Sequence, residues 1–184
     1  MSKQESTYEN HLDEREARWF AIYTPYKREK MVCRQLQKKG VRAYLPIQTL
    51  VRRYTRKIRK VELPLISCYV FVQITKTEYV RVLETVHVLG FVKFAGNLIA
   101  IPEEEIDLLK QVLGEGMEVN VEKQSYHEGD TVEVASGNLV GTRGRLCAIQ
   151  GKKQFLVDLE FLGYTLQINI DPKLLRKVIN GVVI

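Results

Sequence analysis

Alternation of apolar and polar positions is densest in the C-terminal third, where Val132 and Val134 bracket Glu133 and Gly137, Gly141 and Gly144 follow around Arg143 and Arg145. A period of two marks a half-buried strand, and the glycines free the backbone for turns before Leu146, Ala148 and Ile149 restart an apolar run. Strands are predicted at 131–135, 144–149, 155–161, 164–170 and 175–179. Five short strands of this kind suit a small closed β-barrel, in which complete pairing removes exposed edges.

The first hundred residues follow a different pattern. Residues 18–23 form an aromatic and β-branched strand, and Thr24-Pro25 then predicts a helix start, with proline where its missing N–H costs nothing. On that helix, predicted to end at Gly40, Lys27, Lys30, Arg34 and Lys38 fall on one stripe, with Val32, Cys33 and Leu36 opposite. A strand ends near Pro46, and residues 49–53 and 58–63 read as a hairpin with Tyr54-Thr55-Arg56-Lys57 at its tip. Residues 65–74 are apolar on both faces, as in a central strand. A short helix at 77–86, a strand at 91–94 and a tight Gly96-Asn97 turn into 98–101 follow. Pro102 and three glutamates then begin a helix whose packing stripe is Ile106, Leu109 and Val112 or Leu113. The pattern predicts an α+β chain with a polar tail (1–17), a mixed domain (18–113), a linker (114–125) and a β-barrel (126–184).

Charge changes this picture by being segregated. The chain of 184 residues carries a formal net charge of +6. Between Arg18 and Lys60, however, stand 14 basic residues and a single acid, Glu29. A block so short of counter-charge points to a polyanion, and Lys27, Lys30, Arg34, Lys38, Arg52, Arg53, Arg56 and Lys57 are its candidate contacts, with Tyr54 as a surface on which a base could stack.

Other chemistry is not suggested. The chain contains no phosphate loop, GxGxxG fingerprint or nucleophile elbow, and His11, His87 and His127 lack ligand spacing. Cys33, Cys68 and Cys147 are odd in number and widely separated, as in reduced, packed thiols. The three glutamates complement a helix N-terminus. No catalytic residue, metal or cofactor is expected, and a cytoplasmic location is.

Two apolar segments, Trp19-Phe20-Ala21-Ile22-Tyr23 and Tyr69-Val70-Phe71-Val72, together with the glycine-rich hairpin, make residues 18–180 resemble the NusG family, with its N-terminal (NGN) domain and KOW module. The resemblance implies an antiparallel NGN sheet with flanking helices, tethered to a five-stranded, SH3-like barrel. It implies docking on the clamp helices of RNA polymerase's largest subunit through Ile66, Tyr69, Phe71 and Phe91, with Ile99 and Ile101 beside them, and contact with the non-template DNA strand. It implies a likeness to the specialised RfaH-like antiterminators, on Arg42-Ala43-Tyr44-Leu45-Pro46, the short basic hairpin and Val61-Glu62-Leu63-Pro64-Leu65; such factors act on long operons, often those for surface polysaccharides. A general elongation factor and a ribosome- or RNA-binding KOW protein are the alternatives. The KOW loop at Phe161-Leu162-Gly163 would recruit Rho or a small-subunit ribosomal protein, and the chain would act as a monomer. Leu65-Ile66-Ser67-Cys68 departs from the family's aromatic, proline and glycine before the tyrosine.

Overall fold

The computed structural model describes residues 8–54, 57–94, 96–114, 119–123, 129–135, 139–149, 152–159, 164–170, 174–179 and 182–183. In chain order these form β1 (Arg18–Tyr23), α1 (Glu29–Lys38), β2 (Arg42–Tyr44), β3 (Ile47–Tyr54), β4 (Lys57–Pro64), β5 (Tyr69–Ile74), α2 (Tyr79–Leu83), β6 (Gly90–Phe91) and α3 (Glu103–Gly114). The later strands are β7 (Val119–Lys123), β8 (Asp130–Val134), β9 (Arg143–Ile149), β10 (Lys152–Leu159), β11 (Tyr164–Ile168), β12 (Leu175–Ile179) and β13 (Val182–Val183). The fold is α+β, and among the described residues the pairings between these strands are antiparallel. Two compact units divide it, Met1–Leu45 with Ile66–Glu103 and Pro46–Leu65 with Glu104–Ile184. This division places the hairpin and α3 with the C-terminal strands, whereas the sequence pattern drew its boundary after residue 113.

In the first unit the strand order is β2-β5-β1-β6. Partners in register point to the same side of a sheet, so the pairings Phe20↔Val72 and Ile22↔Val70, with Ile22↔Phe91, define one face, and Ala21↔Phe71 and Tyr23↔Tyr69, with Tyr44↔Phe71, define the other. Helix α1 lies against β2 and β5, burying Val32, Cys33 and Leu36 as its periodicity predicts.

Helix α1 starts later than Thr24-Pro25 suggests. Pro25 accepts the Arg28 N–H at 3.0 Å, closing a tight turn, and the first helical residue is Glu29. Thr24 makes no cap; its N–H instead donates to the Cys68 carbonyl at 2.9 Å. Part of the expected polar tail is also built into the unit. The N–H of His11 donates to Leu98 O and that of Leu98 to Glu9 O, at 2.9 and 3.0 Å, and the Ala100 N–H donates to His11 Nδ1 at 3.1 Å.

In the second unit, β3 and β4 form the expected hairpin, in register from Ile47↔Pro64 to Tyr54↔Lys57. Helix α3 buries Ile106, Leu109 and Val112, as its stripe predicts. The five expected strands are contiguous, in the order β12-β8-β9-β10-β11, with β13 and β7 at the ends. Strand β7 falls within the stretch read as a linker, pairing Val119↔Ile168 through Lys123↔Tyr164. Val132, Val134, Phe155, Val157, Leu166 and Ile168 are buried on the face enclosing the core. Gly144 is required there: a Cβ on it would meet Leu156 O within hard contact and lie 2.7 Å from Phe155 Cε2.

Candidate functional site

Sheet parity sorts the candidate apolar surface into two groups. Tyr69 and Phe71 share a face with Tyr23 and Tyr44, and Trp19, in register with Gln73, lies on it too. The Tyr23 and Tyr69 rings approach to 5.0 Å between centroids with their hydroxyls 3.4 Å apart, and Tyr44 stacks on Phe71 at 6.4 Å. The Arg42 guanidinium sits 5.6 Å from the Trp19 ring centroid, a cation–π contact. Ile101 joins through its pairing with Trp19.

Phe91 does not join this group. Its register with Ile22 places it on the opposite face, where Tyr79 stacks on it at 4.7 Å and Phe20 meets it edge-on at 6.2 Å. Burial divides the candidates further. Phe71 has 0% exposure, and Ile66, Phe91 and Ile101 are buried. Tyr69 and Ile99 are half-buried, while Tyr23, which the sequence reading did not select, is 39% exposed. The accessible part of the aromatic face is therefore tyrosine, with Phe71 beneath it. Tyr23 shares the side of Trp19 by the alternation of β1 alone, whereas Tyr44 joins them only through the register of β2 on β5. Burial pushes the Tyr44 phenol up to about 12 by disfavouring the phenolate.

The basic candidates are arranged on two elements. Lys27, Arg34 and Lys38 are exposed and Lys30 is half-buried at α1. Arg52, Arg53 and Lys57 are exposed on the hairpin, where Arg52 stands directly opposite Arg59. The side chain of Tyr54, and Arg56, Phe161 and Leu162 entirely, lie outside the described residues.

Glu29, the block's lone acid, does not neutralise that surface. It is 2% exposed, and its carboxylate accepts the Cys68 N–H at 2.8 Å. Cys68 itself has φ +68°, the left-handed conformation that favours glycine. The departure Leu65-Ile66-Ser67-Cys68 thus keeps a glycine-like backbone without a glycine, with Glu29 and Thr24 holding the residue from both sides.

The family model described as transcription termination factor NusG matches residues 17–110, half of the chain. The chain belongs to the NusG family. Members of this family are transcription factors rather than enzymes, and this chain is a NusG-family transcription factor. The transcription termination/antitermination proteins NusG of Streptococcus pyogenes serotypes M1 and M3 (strain SSI-1) are each 27% identical over 156 residues, covering 77% of this chain and 86% of theirs. A solved structure of Thermotoga maritima NusG, 19% identical, covers 89% of this chain and 98% of its own, with a TM-score of 0.56, a likeness of fold. Among the described residues, no helix is long and apolar enough to cross a membrane.

Proposed function

We infer that this NusG-family chain is an elongation and antitermination factor that docks on RNA polymerase through the tyrosine face of its first unit and contacts nucleic acid through its basic block. The observation carrying this reading is the burial of Glu29, which leaves the exposed Lys27, Arg34 and Lys38 with no other acid in the block from Arg18 to Lys60. Exposed cations with so few acids beside them in the sequence gain from a polyanion, because binding releases its condensed counterions. Tyr23 and Tyr69 supply amphipathic rings of the kind that anchor protein interfaces.

The dock is assigned to the clamp helices of the largest polymerase subunit, and the nucleic acid to the non-template strand. The role is operon-specific antitermination, for which surface-polysaccharide operons are the model, and the KOW module recruits Rho or a small-subunit ribosomal protein through Phe161 and Leu162. A general elongation role is the second reading, favoured by the name of the Streptococcus pyogenes relatives. Passing core RNA polymerase over the immobilised chain tests the central claim: retention at moderate salt that is lost with Tyr69→Ala is expected, and no retention of polymerase by the wild-type chain overturns it. Transcription through one long operon compared with unrelated templates separates the specific role from the general one.

A further inference from the structure

The outer part of the hairpin stands in solvent on both sides: residues 51–53 of β3 and 57–60 of β4 are all exposed. Residues 51–60 include six basic residues and no acid. The nearest acid along β4, Glu62, shares the face of Lys60 but lies nearer the base of the hairpin, opposite Thr49. Register gives this ribbon two unlike faces. One carries Val51 opposite Lys60 and Arg53 opposite Ile58, and the other carries Arg52 opposite Arg59. Val51 and Ile58, diagonal neighbours on the first face, are 58% and 69% exposed, where a free ribbon would favour polar side chains. A face that sets a forked guanidinium beside β-branched apolar groups, backed by two opposed arginines, matches a partner with flat acceptor edges and methyl groups between two rows of anions. The major groove of DNA is laid out in this way, with base edges and thymine methyls on its floor and a phosphate backbone along each wall.

We propose that the β3–β4 ribbon enters the major groove of duplex DNA, with Val51, Arg53, Ile58 and Lys60 toward the base edges and Arg52 and Arg59 each toward one phosphate wall. The assignment rests on the nucleic-acid contact inferred above and adds to it a duplex ligand, a groove and the residues that read it. The dimensions agree. Paired strands lie about 4.8 Å apart, and a groove about 12 Å wide admits a two-stranded ribbon. The Val51–Lys60 and Arg53–Ile58 rungs are two residues apart along β3, about 7 Å, which is the rise of about two base pairs. The Arg53 fork suits guanine O6 and N7, and the two apolar side chains suit thymine methyls. Repulsion between Arg52 and Arg59 favours splaying of their guanidinium groups toward opposite walls. Duplex RNA does not fit, because its major groove is deep and too narrow for side chains to read, and a single strand has no groove.

Fluorescence anisotropy of the full chain tests this on a labelled DNA duplex, the same duplex with uracil in place of thymine, duplex RNA of that sequence and oligothymidylate, with dimethyl sulfate footprinting on the DNA. Protection is expected at guanine N7, in the major groove, and not at adenine N3, in the minor groove. Arg53→Ala is expected to lose the N7 protection and weaken duplex DNA binding about 10-fold while melting at the wild-type temperature. Uracil for thymine is expected to weaken the wild-type chain about 4-fold and to leave the Val51→Ser/Ile58→Ser chain unaffected. Protection of adenine N3 alone, equal affinity for duplex RNA, undiminished DNA binding by Arg53→Ala, or a wild-type chain indifferent to the thymine methyl overturns the proposal. An Arg53→Ala chain that loses polymerase but keeps its duplex affinity also overturns it, by making the ribbon a protein contact. Binding of oligothymidylate without either DNA duplex overturns this proposal alone, whereas failure of the wild-type chain on all four probes overturns the nucleic-acid reading beneath it.

Discussion

The Glu29 carboxylate accepts the N–H of Cys68 at 2.8 Å, so the lone acid of a strongly basic segment anchors a non-glycine residue at φ +68°. Removing the acceptor leaves a partly buried donor unsatisfied, and Glu29→Ala should cost about 1–3 kcal/mol of stability in urea unfolding. Cys68→Gly should relieve the left-handed strain while loosening the unfolded chain, for a net gain between about 0 and 1 kcal/mol. Cys68→Val puts a β-branched side chain at positive φ and should lose at least about 1 kcal/mol. A Cys68→Val chain as stable as wild type would show that the loop carries no strain.

Tyr69 and Phe71 lie on one face of β5 but differ in accessibility, and their truncations should separate accordingly. Phe71→Ala empties a fully buried site and should cost about 3–5 kcal/mol of folding stability. Tyr69→Ala removes a half-buried ring packed on Tyr23 and should cost folding about 1 kcal/mol, yet weaken polymerase binding by about 2 kcal/mol or more. Thermal melts paired with affinity on the same preparations check both. A Tyr69→Ala chain that binds polymerase normally removes this residue from the interface.

Elements whose periodicity runs over several residues were legible from the chain alone: the packing stripe of α3, the hairpin of β3 and β4, and the five contiguous C-terminal strands. The start of α1 was not, because the Pro25 signal competes with a turn whose conformation at Lys27 is set within the folded unit. Strand β7 alternates Val119, Asn120, Val121 and Glu122, a signal outweighed by the neighbouring glycines and charges. The site was legible only in part. Placing Phe91 opposite Tyr69 depends on how β5 and β6 register on β1, and pairing partners far apart in sequence leave no local trace. The burial of Glu29 is likewise a long-range event, since its partner is 39 residues away.

The Tyr44 phenol provides a pH test. Its folded-state value, raised by burial from 10.0 to about 12, means that the folded chain binds the phenolic proton more tightly than the unfolded chain. The resulting stability is fully present below about pH 10 and is lost as pH rises through about 12. Urea midpoints should therefore fall more steeply over that interval in wild type than in Tyr44→Phe, and phenolate absorbance should lose its latest phase in the variant. Parallel pH profiles for the two chains would contradict the assignment.

Arg52 and Arg59 face each other across the hairpin, and like charges so placed repel unless an anion lies between them. Arg59→Glu converts the repulsion into an attraction and should stabilise the hairpin by about 0.2–1 kcal/mol while weakening nucleic-acid binding. Replacing Arg52, Arg53, Arg56 and Lys57 with serine should flatten the log–log salt dependence by about one unit per lost phosphate contact. A salt slope unaltered by all four changes would remove the hairpin from the nucleic-acid surface.

Gly144 tests whether the C-terminal strands have a helical alternative, because alanine there acts oppositely on the two forms. In the sheet, the added methyl collides with the Leu156 carbonyl and the Phe155 ring, and backbone cannot yield as a flexible side-chain end does, so Gly144→Ala should destabilise the unit by about 1–3 kcal/mol. In a helix, the same change would be favourable by about 1 kcal/mol. A chain with a nearby helical state would therefore gain helical circular dichroism on this substitution. The buried Val132, Val134, Val157 and Ile168 oppose that state, since β-branched side chains pack well on a pleated surface and lose rotamer freedom in a helix. The expected outcome is an earlier melt with no added helical signal, and a predominantly helical spectrum from either Gly144→Ala or an isolated 120–184 fragment would show that the sheet is only one of two accessible folds.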